Sequence, residues 1–187
     1  VLLYHGNTLV DSIHWGRQIA GYSIGRHGPS GEWTLCHPTP GGPNQIAGLA
    51  PARQMKINEW LSDSELHYLG EFIELFNPGD SPADLGGHWL SNSLDHPGRH
   101  QIPAHSYIPA RGFRVFHSTA SDRPAADEFP FHLDGFHQWL VLTAEDGTTI
   151  DQISVTSQHA DTVEGRNPDG SPNVETLPLG TPGRSNN

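Results

Sequence analysis

The sequence predicts an all-β chain built as a β-sandwich. Three observations carry that reading: short runs of alternating apolar and polar residues, turn signals about every ten residues, and closely spaced prolines that leave no room for long helices. Gly and Pro account for 21 and 16 of the 187 residues, and hydrophobic residues for only 34%. The 7 Phe, 5 Trp and 4 Tyr can still fill a modest core.

The elements are taken in chain order. Val1–Tyr4 and Leu9–Trp15 flank the turn Gly6-Asn7 and read as a hairpin. Lys56–Leu61 alternates and predicts a strand with Ile57 and Leu61 on one face. Ser62–Leu69 offers either one helical turn capped by Ser-Asp-Ser-Glu or a loop insertion. Phe72–Phe76 is a strand that stops at Asn77-Pro78-Gly79-Asp80. Period two puts Ile73 and Leu75 on one face, with Phe72, Glu74 and Phe76 on the other. His88–Leu90 and Phe113–Phe116 are short strands, and Gly86-Gly87 permits a tight approach to the first. Pro103, Pro109, Pro124 and Pro130 punctuate the interval leading to the next hairpin. Trp139–Leu142 and Thr148–Ile153 form that hairpin over Glu145-Asp146-Gly147, because Asp-Gly supplies the positive φ of a tight turn. The expected core is Trp60, Ile73, Leu75, Trp89, Phe113, Val115, Leu140, Leu142, Ile150 and Ile153.

Charge and composition exclude several classes. A net charge of −11 with one Lys opposes nucleic-acid binding. No apolar run approaches the roughly 18 residues of a membrane-spanning helix. The first residues lack the pattern of a secretion signal, and the chain does not begin with Met, so it is expected to be a piece of something longer. The lone Cys36 permits no intrachain disulfide and reads as a small packed hydrophobe.

An internal repeat organises the chain. Asp11 falls on Asp151, Ile13 on Ile153, Ala20 on Ala160 and Gly25-Arg26 on Gly165-Arg166 at a constant offset. After one gap, Thr39-Pro40-Gly41 answers Thr181-Pro182-Gly183 and Asn44 answers Asn186. Residues 1–44 therefore read as the C-terminal third of a first copy, 45–52 as a linker, and 53–187 as a complete second copy. A third of a sandwich cannot cover its own apolar residues. Residues 1–44 are thus expected to be ordered only by pairing with something outside 53–187.

The second copy resembles the lamin tail domain, an immunoglobulin-like β-sandwich. The resemblance rests on KINEW at 56–60, EFIELFNPGDSPADLGGHWLSN at 71–92, IPARGFRVF at 108–116 and WLVLTAEDGTTIDQISV at 139–155. GRNPDGS at 165–171 and TPGRSN at 181–186 complete it, while SIGRHGPSGEW and PTPGGPN carry it in residues 1–44. It implies tandem copies in a large secreted or surface-attached bacterial protein. It also implies a polar network in which Asn58 and Glu59 lie near Glu74. Structural roles are expected for Glu74, for Trp89 as a core anchor, and for the recurring Arg26 and Arg166.

No catalytic constellation stands out. Ser64, Ser91, Ser118 and Ser157 form no nucleophile elbow, and residues 25–31 lack the Lys and helix of a phosphate cradle. Asn77, Asp80 and Asp84 in one stretch, and Asn167, Asp169 and Asn173 in another, supply the hard oxygens calcium takes, without EF-hand spacing. His132, Asp134 and His137 have the residue types of a transition-metal site, and so, more loosely, do His96, His100 and His105. Exposed loop residues are the plain alternative for each set. The expectation is a non-catalytic structural, adhesive or anchoring module, extracellular or at the cell surface, with no cofactor apart from this calcium option. Its expected partners are other protein chains or the missing part of its own first copy. A second reading is a carbohydrate- or polymer-binding accessory module of an extracellular hydrolase, which a flat row of exposed Trp and Tyr would support.

Overall fold

A computed structural model describes residues 1–65 and 70–186. The expected turn or loop over Ser62–Leu69 falls partly outside these residues, and 62–65 form no helix.

Two sheets face each other across the main core. The larger runs, in spatial order, β13 (Glu128–Phe129), β12 (Phe113–Ser118), β7 (Phe72–Phe76), β6 (Lys56–Leu61), β16 (Glu164–Arg166) and β17 (Val174–Thr176). The smaller runs β10 (His100–Gln101), β9 (Trp89–Ser91), β14 (Phe136–Thr143) and β15 (Thr149–Ser157). Ile57, Trp60, Ile73, Leu75 and Phe116 from the first meet Leu90, Leu140, Leu142, Ile153 and Val155 from the second. A short pair, β8 (Ala83–Asp84) with β11 (Tyr107–Ile108), closes one end. This is an immunoglobulin-like β-sandwich.

Strand phase departs from the expected faces in three places. A bulge in β6 between Ile57 and Glu59 inserts Asn58 as an extra residue. Alternation therefore shifts by one: Ile57 and Trp60 enter the main core, and Leu61 joins Phe72, Val163 and Leu177 in a separate cluster on the other side of the sheet. In β12 the residues opposite Ile73 and Leu75 are Phe116 and Arg114. Phe113 and Val115 are only half-buried, lying opposite Phe76 and Glu74 on the outer face, where Phe113 stacks on Phe76 at 5.0 Å. In β9 Leu90 points inward, so its neighbour Trp89 points outward, half-buried beside Gly98, and is no core anchor. Ile150 is likewise only partly buried, packed against the core's edge.

Residues 1–47 form β1 (Leu2–His5) with β2 (Thr8–Ser12), and β3 (Ser23–His27), β4 (Glu32–His37) and β5 (Gln45–Ile46) in a second small sheet. These strands pair among themselves and dock on the sandwich, contrary to the expectation that only an outside partner would order them. Tyr107 is fully buried among Ile19, Leu35 and Ala47. Gly16 N donates to Ala104 O at 3.0 Å, Tyr107 N to Arg17 O at 3.1 Å, and Arg17 pairs with Asp127 at 2.9 Å. A Cβ on Gly16 would lie 1.9 Å from Ser106 Oγ, so this approach requires glycine. Residues read as linker take part: Ala47 N donates to Leu35 O and Ala50 N to Pro82 O.

Candidate functional site

The densest polar chemistry is a buried cluster where β6, β7 and β16 meet the closing segment 181–186. Its origin is local. The β6 bulge sets Glu59 directly opposite Glu74 on β7, and both carboxylates, with Asn58, are fully buried. Opposed like charges repel, so each carboxylate needs donors or a proton. Glu59 accepts from Thr181 N at 2.7 Å and Thr181 Oγ1 at 2.9 Å. Glu74 accepts from Gly183 N at 2.6 Å and Asn58 Nδ2 at 3.1 Å. Burial nonetheless pushes the Glu74 carboxyl up to about 8, helped by the charges of Glu59 and Asp169. Burial also raises Glu59 against its two donors from Thr181.

Beside this cluster, Arg166 ties three chain segments together. Its Nε donates to Ile57 O at 2.8 Å, its Nη1 to Ser171 O at 2.5 Å, and its Nη2 reaches the Asp151 carboxylate at 3.0 Å. Asp151 also accepts from Ile57 N at 2.9 Å. Asn186 donates to Arg166 O at 3.0 Å, and Asp169 accepts from Asn58 Nδ2 at 2.9 Å, Ser185 Oγ at 2.5 Å and Asn186 N at 3.1 Å. The arrangement holds the last residues across the sheet. It exposes no nucleophile next to a base.

Around Arg26 the same contacts recur. Arg26 Nη2 meets Asp11 at 2.6 Å, Nη1 donates to Gly31 O at 2.9 Å, and Asn44 Nδ2 donates to Arg26 O at 2.9 Å. A Cβ on Gly25 would lie 2.7 Å from the Asn44 side chain, and one on Gly165 would lie 2.7 Å from that of Asn186. Gly42 N donates to Thr39 O as Arg184 N does to Thr181 O. Both hairpins skip one residue beside the paired Asp: Val10 next to Asp11, Ile150 next to Asp151. Arg26 additionally lies 4.4 Å over the Trp33 ring.

The metal candidates are spent elsewhere or lie apart. Asn77 is buried, with Nδ2 donating to Ser81 O and Pro109 O and Oδ1 accepting from Gly79 N. Asp80 is exposed and bound to Arg111 at 2.9 Å, which lowers its pKa. Asp84 accepts from Gly86 N, and burial raises its carboxyl. Asn167 Nδ2 donates to Glu175, and Asp169 serves the cluster above. His132 is largely exposed, 3.4 Å from Glu71; Asp134 accepts from Phe136 N; His137 is exposed. Among the described residues no group of three or more His, Cys, Asp or Glu is placed to hold a metal ion. Cys36 is fully buried.

The family model of the lamin tail domain matches residues 50–157. The chain belongs to the lamin tail domain family. No curated protein matches it significantly. The family is an immunoglobulin-like structural domain family, in keeping with a cluster whose acids are occupied by chain-internal donors. The match ends before β16, so Arg166, Asp169, Thr181 and Asn186 lie beyond the matched stretch. Sequence reasoning named Glu74, Asn58 and Glu59 but gave no role to Asp151 or Thr181. The signal for both was the repeat, which pairs Asp11 with Asp151 and Thr39 with Thr181.

Proposed function

We propose that the chain is a non-catalytic structural segment of a larger bacterial protein, secreted or held at the cell surface, in which lamin tail domains succeed one another and serve anchoring or adhesion. Residues 1–44 are then the closing part of one copy and residues 53–187 the next. The observation that carries this reading is the recurrence of the Asp–Arg–Asn contact set at Asp11, Arg26 and Asn44 and again at Asp151, Arg166 and Asn186. A contact set kept in two places of one chain, without any reactive group beside it, is a scaffold device. The glycan-binding reading draws no comparable support: Arg26 covers the Trp33 face, and Trp89 packs on Gly98. Assays against esters, phosphodiesters and glycosides are expected to show no turnover. Turnover that disappears in Glu59→Gln, Glu74→Gln or His132→Ala would overturn the proposal.

A further inference from the structure

The two contact sets differ in what lies over them. In the second set β16 is an inner strand: β17 flanks it on one side and β6 on the other, with Gly165 opposite Glu59 and Glu164 opposite Trp60. Its counterpart β3 has β4 on one side and a free edge on the other. In the second set β14 pairs with β9 as well as β15, whereas β1 pairs with β2 alone. The side chains differ in the same sense. Val141 and Leu142 are 1% and 0% exposed, against 74% and 61% for Val1 and Leu2. Val155 is fully buried, whereas Trp15 is exposed and lines an apolar groove of about 340 Å³ with Val1, Ile13, Ile24 and Trp33.

The polar groups are equally incomplete. Thr181 N and Oγ1 donate to Glu59, and Gly183 N to Glu74. Among the described residues no carboxylate meets Thr39 or Gly41, the matching positions. Arg166 Nε donates to Ile57 O, while among the described residues nothing accepts from Arg26 Nε.

Resting on the reading of residues 1–44 as the closing part of a copy, we propose that they form an acceptor for two adjacent β-strands with the chemistry of β6 and β7. The first strand runs antiparallel along β3 with a Glu opposite Gly25, its carboxylate taken by Thr39 N and Oγ1. The residue two places before that Glu gives its N–H to Asp11 and its carbonyl to Arg26 Nε. The second strand brings another Glu to Gly41 N, the apolar side chains of both fill the groove over Ile13, Trp15 and Ile24, and a third strand equivalent to β9 pairs with β1 as β9 does with β14. The occupant is therefore a stretch of lamin tail polypeptide equivalent to residues 53–140. Strand addition to an exposed edge takes its affinity from such main-chain bonds and its selectivity from the alternate side chains.

The test extends the full chain with a duplicate of its own residues 53–140 placed directly ahead of Val1, and reads amide hydrogen exchange. Exchange at Leu2–His5, Thr39 and Gly41 is expected to slow at least about tenfold relative to the unextended chain. Glu59→Gln within the duplicate should speed exchange again at Thr39 while leaving Leu2–His5 slow. Unchanged exchange in residues 1–44 overturns the proposal, whether or not the duplicate folds. So does a concentration-dependent dimer of the unextended chain in which Leu2–His5 are already protected, because the occupant is then a second copy's edge. Turnover in the assay panel would remove the non-catalytic reading without altering these exchange rates.

Discussion

One ion pair occurs twice in this molecule under different cover. Asp11 and Arg26 approach to 2.6 Å with side chains 43% and 44% exposed; Asp151 and Arg166 approach to 3.0 Å at 10% and 8%. Residue types, strand positions and the attendant Asn are shared. The strands overhead differ, and with them the neighbours: Arg26 lies over Trp33, while Asp151 also meets Lys56 at 3.6 Å. The difference teaches that β6 decides the energetic meaning of the pair. Under β6 the charges are desolvated and each must keep its partner, whereas at the free edge of β3 water screens them.

The largest expected effect tests that contrast directly. Asp151→Asn leaves Arg166 buried without its counter-charge and should cost about 3–5 kcal/mol in urea unfolding, while Asp11→Asn should cost less than about 1 kcal/mol. Equal losses would break the comparison. The glycines sharpen it at a smaller scale. A methyl at Gly165 would press on Asn186 Nδ2 at 2.7 Å and on the Asn58 carbonyl oxygen at 2.9 Å, whereas one at Gly25 meets only the exposed Asn44 side chain. Gly165→Ala should therefore destabilise by about 1–3 kcal/mol, and Gly25→Ala by clearly less.

A third test concerns pH. Glu74 has a folded pKa of about 8 against an ordinary 4.5, so the folded chain keeps a proton that the unfolded chain releases between those values. Its stabilising contribution is complete below 4.5 and is lost as pH rises through 8, with a slope of at most about 1.4 kcal/mol per pH unit. Glu74→Gln should flatten that slope in melts taken from pH 5 to 8. A chain whose stability is unchanged over that range would show that Glu74 is already ionised when folded.

Much of this architecture was readable from residue order. Lys56–Leu61 and Phe72–Phe76 appear as strands with the bounds expected, because β-branched and aromatic residues alternate there between turn residues. The Asp-Gly hairpin and the recurring Gly-Arg were equally plain, since turn chemistry and repetition are local signals. Strand phase was not local. Nothing in KINEW announces that Asn58 is an extra residue; the bulge exists because the Asn58 amide finds Glu74 and Asp169 at once, one of them far along the chain. The outward turn of Trp89 results from Leu90 winning the core, a choice made by the facing sheet. Tyr107 was invisible for the same reason. A single aromatic among prolines has no periodicity, and its burial depends on Ile19, Leu35 and Ala47.

That buried tyrosine has a mechanical consequence. A polypeptide pulled at Val1 would not first straighten a slack tether, because Gly16, Arg17 and Ala50 are already fastened to the sandwich by backbone bonds. Load would arrive at β11 and at the 103–107 bend as shear, spread over several hydrogen bonds and one aromatic seat. Bending between the two parts is opposed by the same seat, since tilting would lift Tyr107 out of its apolar surround. In the proposed succession of lamin tail domains, the same seat would stiffen each junction, to a degree set by how tightly each domain grips the residues ahead of it.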